Sequence, residues 1–293
     1  MIKEFYRNPR DKEEFSMINR KRFLVVVCLG LILVFHTSSF GGALEPFKGE
    51  KGSVKIAGGT AHIPVMKEAA RKIMTANPDI QITIAGGGSG VGIKQVGEGM
   101  VDIGNSGRKP TEEEISRYGL KLYQWAIDGV AAVVNPKNAV KALTGAQLID
   151  IFAGRIDNWK AFGGEDRKIS LYTRDEASGT REVFWEKGLK KGDFSPKANV
   201  VVSNGAMKTA IAQDPAGIGY VSVGHIDETV AAVAIDGVPA TLETVKSGNY
   251  PIARGLFSNT KGEPTGLTQK FIEFLYSPDG RKIIAASGFI PVK

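Results

Sequence analysis

Apolar positions recur along this chain in two rhythms. From Pro64 to Ala76, Val65, Met66, Ala69, Ala70, Ile73 and Met74 fall on one face of a 3.6-residue period, which predicts a helix. Asn77-Pro78-Asp79 ends it. Ile80, Ile82 and Ile84 then alternate, which predicts a strand over 80–85. Shorter apolar runs predict strands at Lys55 to Ala57, Gly129 to Asn135, Ile169 to Thr173, Gly217 to Ser222 and Thr229 to Ile235. Helical spacing returns at Leu148, Ile151 and Phe152, again from Arg181 to Trp185, and again from Leu267 to Tyr276. Strands and helices alternate through most of the chain, so the expected fold is α/β with a mainly parallel sheet. At 293 residues the chain exceeds one typical core, and two lobes are expected.

The glycines change this picture. There are 36, and they cluster where predicted strands end. Gly58-Gly59-Thr60 follows the first strand. Gly86-Gly87-Gly88-Ser89-Gly90-Val91-Gly92 follows the second and leads into a short helix expected from Ile93. Asp102 to Arg108 forms a third strand end and loop, and Arg174-Asp175-Glu176-Ala177-Ser178-Gly179-Thr180 follows a later strand. The first N–H groups of a helix have no intrahelical partner and sit in the positive end of its dipole. Glycine lets an anion approach them, and a serine or threonine adds a donor. Thr60, Ser89 and Ser178 to Thr180 are therefore candidate oxyanion contacts, each weighed against plain helix capping. Arg174 stands at a strand end four residues before Ser178, where a fixed guanidinium suits an oxyanion. Arg108 is a second candidate, against the alternative of a solvated surface arginine.

Charge and composition exclude several classes. The formal net charge is +7, but residues 1–43 carry part of it and residues 44–293 are left at +4. No basic run interleaved with aromatics points to nucleic acid. One cysteine and three scattered histidines leave no metal-ligand cluster. Residues 86–92 do not satisfy G-x-G-x-x-G, and no G-x-x-x-x-G-K-[ST] or G-x-S-x-G is present. His62 and His225 have no motif-type acidic partner and read as surface or structural residues. No nucleophile–base pair is evident. The expectation is a non-enzymatic protein without metal or cofactor.

The N-terminus reads as an export signal. Asn19-Arg20-Lys21-Arg22 precedes an apolar run from Phe23 to Phe35, too short for the roughly 20 residues of a membrane helix. Small residues follow, and cleavage after Ala43 would make 1–43 a signal peptide; an uncleaved anchor is the alternative. Met17 is a second candidate start. Cys28 lies inside the apolar run, with Val27 before it, and reads as apolar filler rather than a lipidation site.

With these loops read, residues 52–293 resemble the phosphate-binding substrate-binding proteins of bacterial ABC transporters. The resemblance rests on GGGSGVGIKQV at 86–96, VDIGNSGR at 101–108, LTGAQLIDIFAGRIDNW at 143–159, RDEASGTREVF at 174–184 and SGFIPV at 287–292, in the family's order. It implies the two-lobed type II periplasmic binding fold, with lobe 1 formed by 48–128 plus 252–293 and lobe 2 by 129–251. The strand at Ala131 to Asn135 would lead into lobe 2, and Pro251 to Ser258 would return. The ligand would sit in the cleft, held by Thr60, Ala61, Ser89, Ser106, Arg108, Arg174, Ser178, Gly179 and Thr180. Glu176 lies where some members hold an acidic brace for the arginine. The implied protein is a monomeric periplasmic receptor that delivers inorganic phosphate to an ABC permease. Where some members carry an Asp that accepts phosphate's proton, this chain has Gly107, so the resemblance leaves other oxyanions open: sulfate, molybdate or a phosphonate. A phosphatase and a sensor component are further alternatives.

Overall fold

The computed structural model describes residues 42–292. The export-signal expectation falls, but for Gly42 and Ala43, outside the described residues.

Three strands open the described fold: β1 (Gly52–Gly58), β2 (Ile80–Gly87) and β3 (Ile103–Ser106), with β1 pairing in parallel to both others. Helix α1 (Ile63–Ala76) connects β1 to β2, and α2 (Ser89–Gly97) connects β2 to β3. α1 buries Val65, Met66, Ala69, Ala70 and Ile73, the face that its period sets out, and Asn77 ends it. α2 begins at Ser89, four residues before the expected start, because Gly88 takes a left-handed φ of 88° and turns the glycine run directly into the helix. α3 (Glu112–Tyr118) follows, closed at its start by a capping box between Thr111 and Glu114.

β4 (Leu120–Val134) is a 15-residue strand that runs through the middle of the molecule. After it come β5 (Ala142–Leu143), α4 (Gly145–Phe152), β6 (Ser170–Arg174) and α5 (Gly179–Val183), the last continuing as a π-helical turn over Phe184–Gly188. The chain goes on through β7 (Asn199–Val201), α6 (Asn204–Gln213) and β8 (Gly217–Ser222). Two very short strands, β9 (Ala231–Ala232) and β10 (Ala234–Ile235), stand where one longer strand is expected, and α7 (Leu242–Lys246) follows. β11 (Ala253–Lys261) returns beside β4, and α8 (Gly266–Tyr276), α9 (Pro278–Ala286) and β12 (Ile290–Pro291) complete the described chain.

The main sheet runs β2-β1-β3-β11-β4-β8-β6-β7. Its outer pairs are parallel, as expected, but β11 is antiparallel to both β3 and β4, and β4 is antiparallel to β8. This centre is antiparallel because β4 and β11 are crossing strands that carry the chain out and back.

Two large hydrophobic cores lie along this sheet, beside a small cluster of Ile93, Val96 and Leu120. One gathers Val54, Ile56, α1, Trp125, Ala126, Leu256, α8 and Phe289. The other gathers Val130–Val134, Phe152, Phe184, Met207, Ile218, Tyr220 and Ile252. β4 thus contributes Trp125 to the first core and, a few residues on, five consecutive buried side chains to the second. Each fully buried aliphatic side chain stabilises by roughly 1.5–3 kcal/mol, so β4 is fixed on both sides of the junction. Strand ends and helix starts from both cores meet where the crossing strands pass.

Candidate functional site

At that junction lies a small cavity of about 180 Å³. Thr60, Ala61 and Ser89 line it from the first core's side. Arg174, Ser178, Gly179 and Thr180 line it from the second. Gly59, His62, Gly88 and Gly107 complete the wall. Larger hollows of about 640 Å³ beside Trp159 and 560 Å³ beside Thr260 gather no such set of helix starts.

The two sides are in contact. Gly90 N–H, in the first turn of α2, donates to Ala177 C=O across the junction (3.0 Å). A Cβ at Gly88 would lie 2.5 Å from Ala177 O, and one at Gly179 would lie 2.2 Å from Ser89 Oγ. Only glycine allows the two helix starts to approach this closely.

The hydroxyls are arranged as donors. Gly107 N–H donates to Ser89 Oγ (2.9 Å), and Arg181 N–H donates to Ser178 Oγ (3.2 Å). Ser178 is therefore also an ordinary N-cap for α5. Thr60 Oγ1 accepts from Asn204, and Thr180 Oγ1 accepts from Arg254 (3.0 Å). A hydroxyl that accepts within the protein still has its own proton to give. All four residues are buried.

Arg174 supplies the charge. Its backbone N–H donates to Tyr220 Oη (3.0 Å), and Tyr220 stacks on Phe184 with centroids 4.3 Å apart. Burial pushes the Tyr220 phenol up to about 12, so it stays protonated. The guanidinium donates from Nε to Val201 C=O (3.0 Å) and from Nη2 to Val202 C=O (3.1 Å). Its brace is thus two main-chain carbonyls; Glu176 is exposed. Nη1 is buried with no hydrogen-bond partner among the described residues. Burial disfavours the charged form and lowers the Arg174 pKa. A bound anion would offset that cost.

Two expected contacts stand elsewhere. Ser106 is fully buried, and its Oγ accepts from Asn259 Nδ2 (2.9 Å) behind the cavity wall. Arg108 turns away. Its Nη1 and Nη2 donate to the two carboxylate oxygens of Glu114, both at 2.7 Å, and its Nε lies 2.7 Å from Glu182 Oε2. With three donors held by carboxylates, it brings no free charge to the cavity. These hydrogen bonds to Glu114 lead the upward shift of its pKa.

Arg254 and Asp128, which no sequence motif marks, also shape the site. Arg254 on β11 is 7% exposed and pairs with the fully buried Asp128 on β4, Nη2 to Oδ2 at 2.8 Å. A Cβ at Gly107 would lie 2.7 Å from Arg254 Nη1, so this arginine occupies the space that a larger residue there would need. His62 is fully buried and packs edge-on against Trp125, with burial pushing its imidazole down to about 3. It is neutral at pH 7. Among the described residues no group of three or more His, Cys, Asp or Glu could hold a metal ion.

A family model described as the PBP superfamily domain matches residues 46–279. The chain is 42% identical over 286 residues to the phosphate-binding protein PstS of Bacillus subtilis (strain 168), covering 93% of this chain and 95% of that one. The chain belongs to the phosphate-binding protein family. The PstS of Borreliella burgdorferi is 31% identical over 82% of this chain and 90% of its own length. A solved phosphate ABC transporter substrate-binding protein from Clostridium perfringens, with bound phosphate, superposes with a TM-score of 0.78 at 36% identity, over 83% of this chain and all of that one. An ABC-type phosphate transport receptor from Vibrio cholerae gives 0.66 at 33% identity, over 81% and 99%. The two cores on one curled sheet are thus the two lobes of the type II periplasmic binding fold. No carboxylate side chain is among the residues that line the cavity.

Proposed function

We propose that this protein is an exported, non-enzymatic receptor that captures inorganic phosphate in the cavity and delivers it to an ABC permease. The lobes are assigned as 48–128 plus 252–293 and 129–251, closing on the ligand about β4 and β11. The N–H groups at the starts of α2 and α5 and at Thr60-Ala61 surround the anion. Thr60, Ser89, Ser178 and Thr180 donate their hydroxyl protons, and Arg174 balances charge. The observation that carries this reading is the buried Nη1 of Arg174, without a hydrogen-bond partner among the described residues, in a wall rich in hydrogen-bond donors. Relatives named for phosphate binding, and a neighbour solved with phosphate, support the choice of ligand. The receptor acts as a monomer in the periplasm, after removal of its signal peptide.

The lack of a lining carboxylate favours a second reading, a receptor for another tetrahedral oxyanion, because dibasic phosphate keeps a proton that sulfate lacks. Calorimetric titration with phosphate, then with sulfate in competition, separates the two. Phosphate binding that excess sulfate does not displace supports the first reading. Equal or tighter binding of sulfate refutes it.

A further inference from the structure

Behind the cavity wall runs a ring of buried polar groups. Asn204, the first residue of α6, is fully buried. Ser222 N–H donates to Asn204 Oδ1 (3.0 Å). That bond fixes which way the amide points, because a flipped amide would set donor against donor. Nδ2 must therefore face the other way, where it lies 3.0 Å from Thr60 Oγ1 and 3.5 Å from Thr180 Oγ1. The backbone N–H of Asn204 also donates to Thr60 Oγ1 (3.2 Å). From the other side, Arg254 Nη1 donates to Thr180 Oγ1 (3.0 Å), and Arg254 Nε donates to Asp128 Oδ2 (2.9 Å). Ser222 Oγ donates to Asp128 Oδ1 (2.9 Å) and closes the ring.

A hydroxyl has one proton and two lone pairs. Thr60 Oγ1 receives two donors from Asn204, and Thr180 Oγ1 receives one from Arg254 and a longer one from Asn204. Both oxygens have their acceptor capacity filled, and what remains to each is its proton. Both residues line the cavity. Ser89 and Ser178 each receive one donor among the described residues and keep a spare lone pair.

We propose that Asn204 is a positioning residue which, together with Arg254, saturates the lone pairs of Thr60 and Thr180 and turns both hydroxyls into obligate donors to a bound tetrahedral anion. Asn204 reaches Thr60 across the junction of the two cores, so this polarity is set when the lobes meet. The inference rests on the oxyanion-receptor reading above and assigns the polarity of two of the anion's donors to Asn204 and Arg254, which do not line the cavity.

The test is a double-mutant cycle on the full-length chain, read by calorimetry with phosphate and with sulfate. Asn204→Ala is expected to weaken binding about 10-fold, the scale of one lost hydrogen bond to a charged partner. Thr60→Val is expected to weaken it comparably. On the Thr60→Val background, adding Asn204→Ala should cost less than about threefold, because the hydroxyl that takes two of its three donated hydrogen bonds is gone and only the longer contact with Thr180 remains. Asn204→Asp, nearly isosteric, should lose 100-fold or more, since its carboxylate takes the threonine protons. Thermal unfolding without anion confirms that each variant is folded, and the alanine and valine cycle stands without Asn204→Asp. Additive losses in the cycle, as a purely structural asparagine would give, overturn the proposal, and so does unchanged affinity in Asn204→Ala. Wild-type protein that takes up neither anion overturns the receptor reading as well, so the two failures are distinguishable.

Discussion

Two loops in this molecule carry an arginine after a strand and beside a helix start, and they end up doing different things. After β6, Arg174 leads into Ser178-Gly179-Thr180; after β3, Arg108 leads into α3. In sequence the two look alike. In the fold, Arg174 is held by the carbonyls of Val201 and Val202, which fix its position without neutralising it. Arg108 is held by the carboxylates of Glu114 and Glu182, which do both. Arg174 thus keeps an unpaired charge and one N–H without a partner among the described residues, and Arg108 keeps neither. Glu114 is claimed in turn by the capping box of α3, so the Arg108 loop is a structural joint. Its Nε contact with Glu182 ties that joint to α5 on the other side of the cavity.

The comparison breaks most severely at the glycine of the Arg174 loop. Gly179→Ala would force a methyl to within 2.2 Å of Ser89 Oγ, so the lobes could not close fully. Phosphate affinity measured by calorimetry should fall by about 100-fold or more, while unfolding without phosphate shifts little. Next comes Arg174→Gln. It removes a charged hydrogen bond worth roughly 1.5–3 kcal/mol, so affinity should fall about 10- to 100-fold. Arg108→Gln should change affinity by less than about fivefold, because a partly exposed ion pair contributes at most roughly 1 kcal/mol. It should act mainly on the rate of phosphate release, readable by stopped-flow fluorescence. If Arg108→Gln cost as much as Arg174→Gln, the contrast between the loops would be wrong.

The smallest effect concerns pH. Both guanidiniums stay charged in the neutral and mildly acid range. His62 does respond. Its folded pKa, about 3, lies below the unfolded value of 6.5, so the unfolded chain binds more protons in between. Stability is therefore fully present above pH 6.5 and declines as pH falls through the window below it. Between pH 6.5 and 5.5 the loss should be of order 1 kcal/mol, at most one pKa unit's worth per histidine. His225, pushed down to about 4 by burial, adds in the same direction. Urea midpoints measured across this range should flatten in His62→Gln; an unchanged slope would remove His62 as the cause.

Much of the fold was legible because its signals are local. The face of α1, the alternation of β2 and the apolar run of β8 each need only neighbouring residues. The first half of β4 escaped notice because the strand changes cores along its length, so 120–128 shows neither clean alternation nor a continuous apolar run. α6 buries only Asn204, Met207 and Ile211, too sparse a stripe to stand out. The same divide runs through the site. Thr60, Ser89 and Ser178 to Thr180 were visible as hydroxyls beside glycine at expected helix starts. Arg254 and Asn204 were not, because their partners lie 126 and 144 residues away in sequence. Glu114 lies only six residues from Arg108, in a Thr-x-x-Glu signature that predicts a helix start. That signal was available and would have argued for a paired arginine.

The most direct measurement is a crystal structure of the protein grown with phosphate. One tetrahedral anion should occupy the cavity, its oxygens roughly 2.7–3.0 Å from Thr60 Oγ1, Thr180 Oγ1 and Arg174 Nη1, with Arg108 still on Glu114. An anion bound at Arg108, or a cavity left to water at saturating phosphate, would contradict the account.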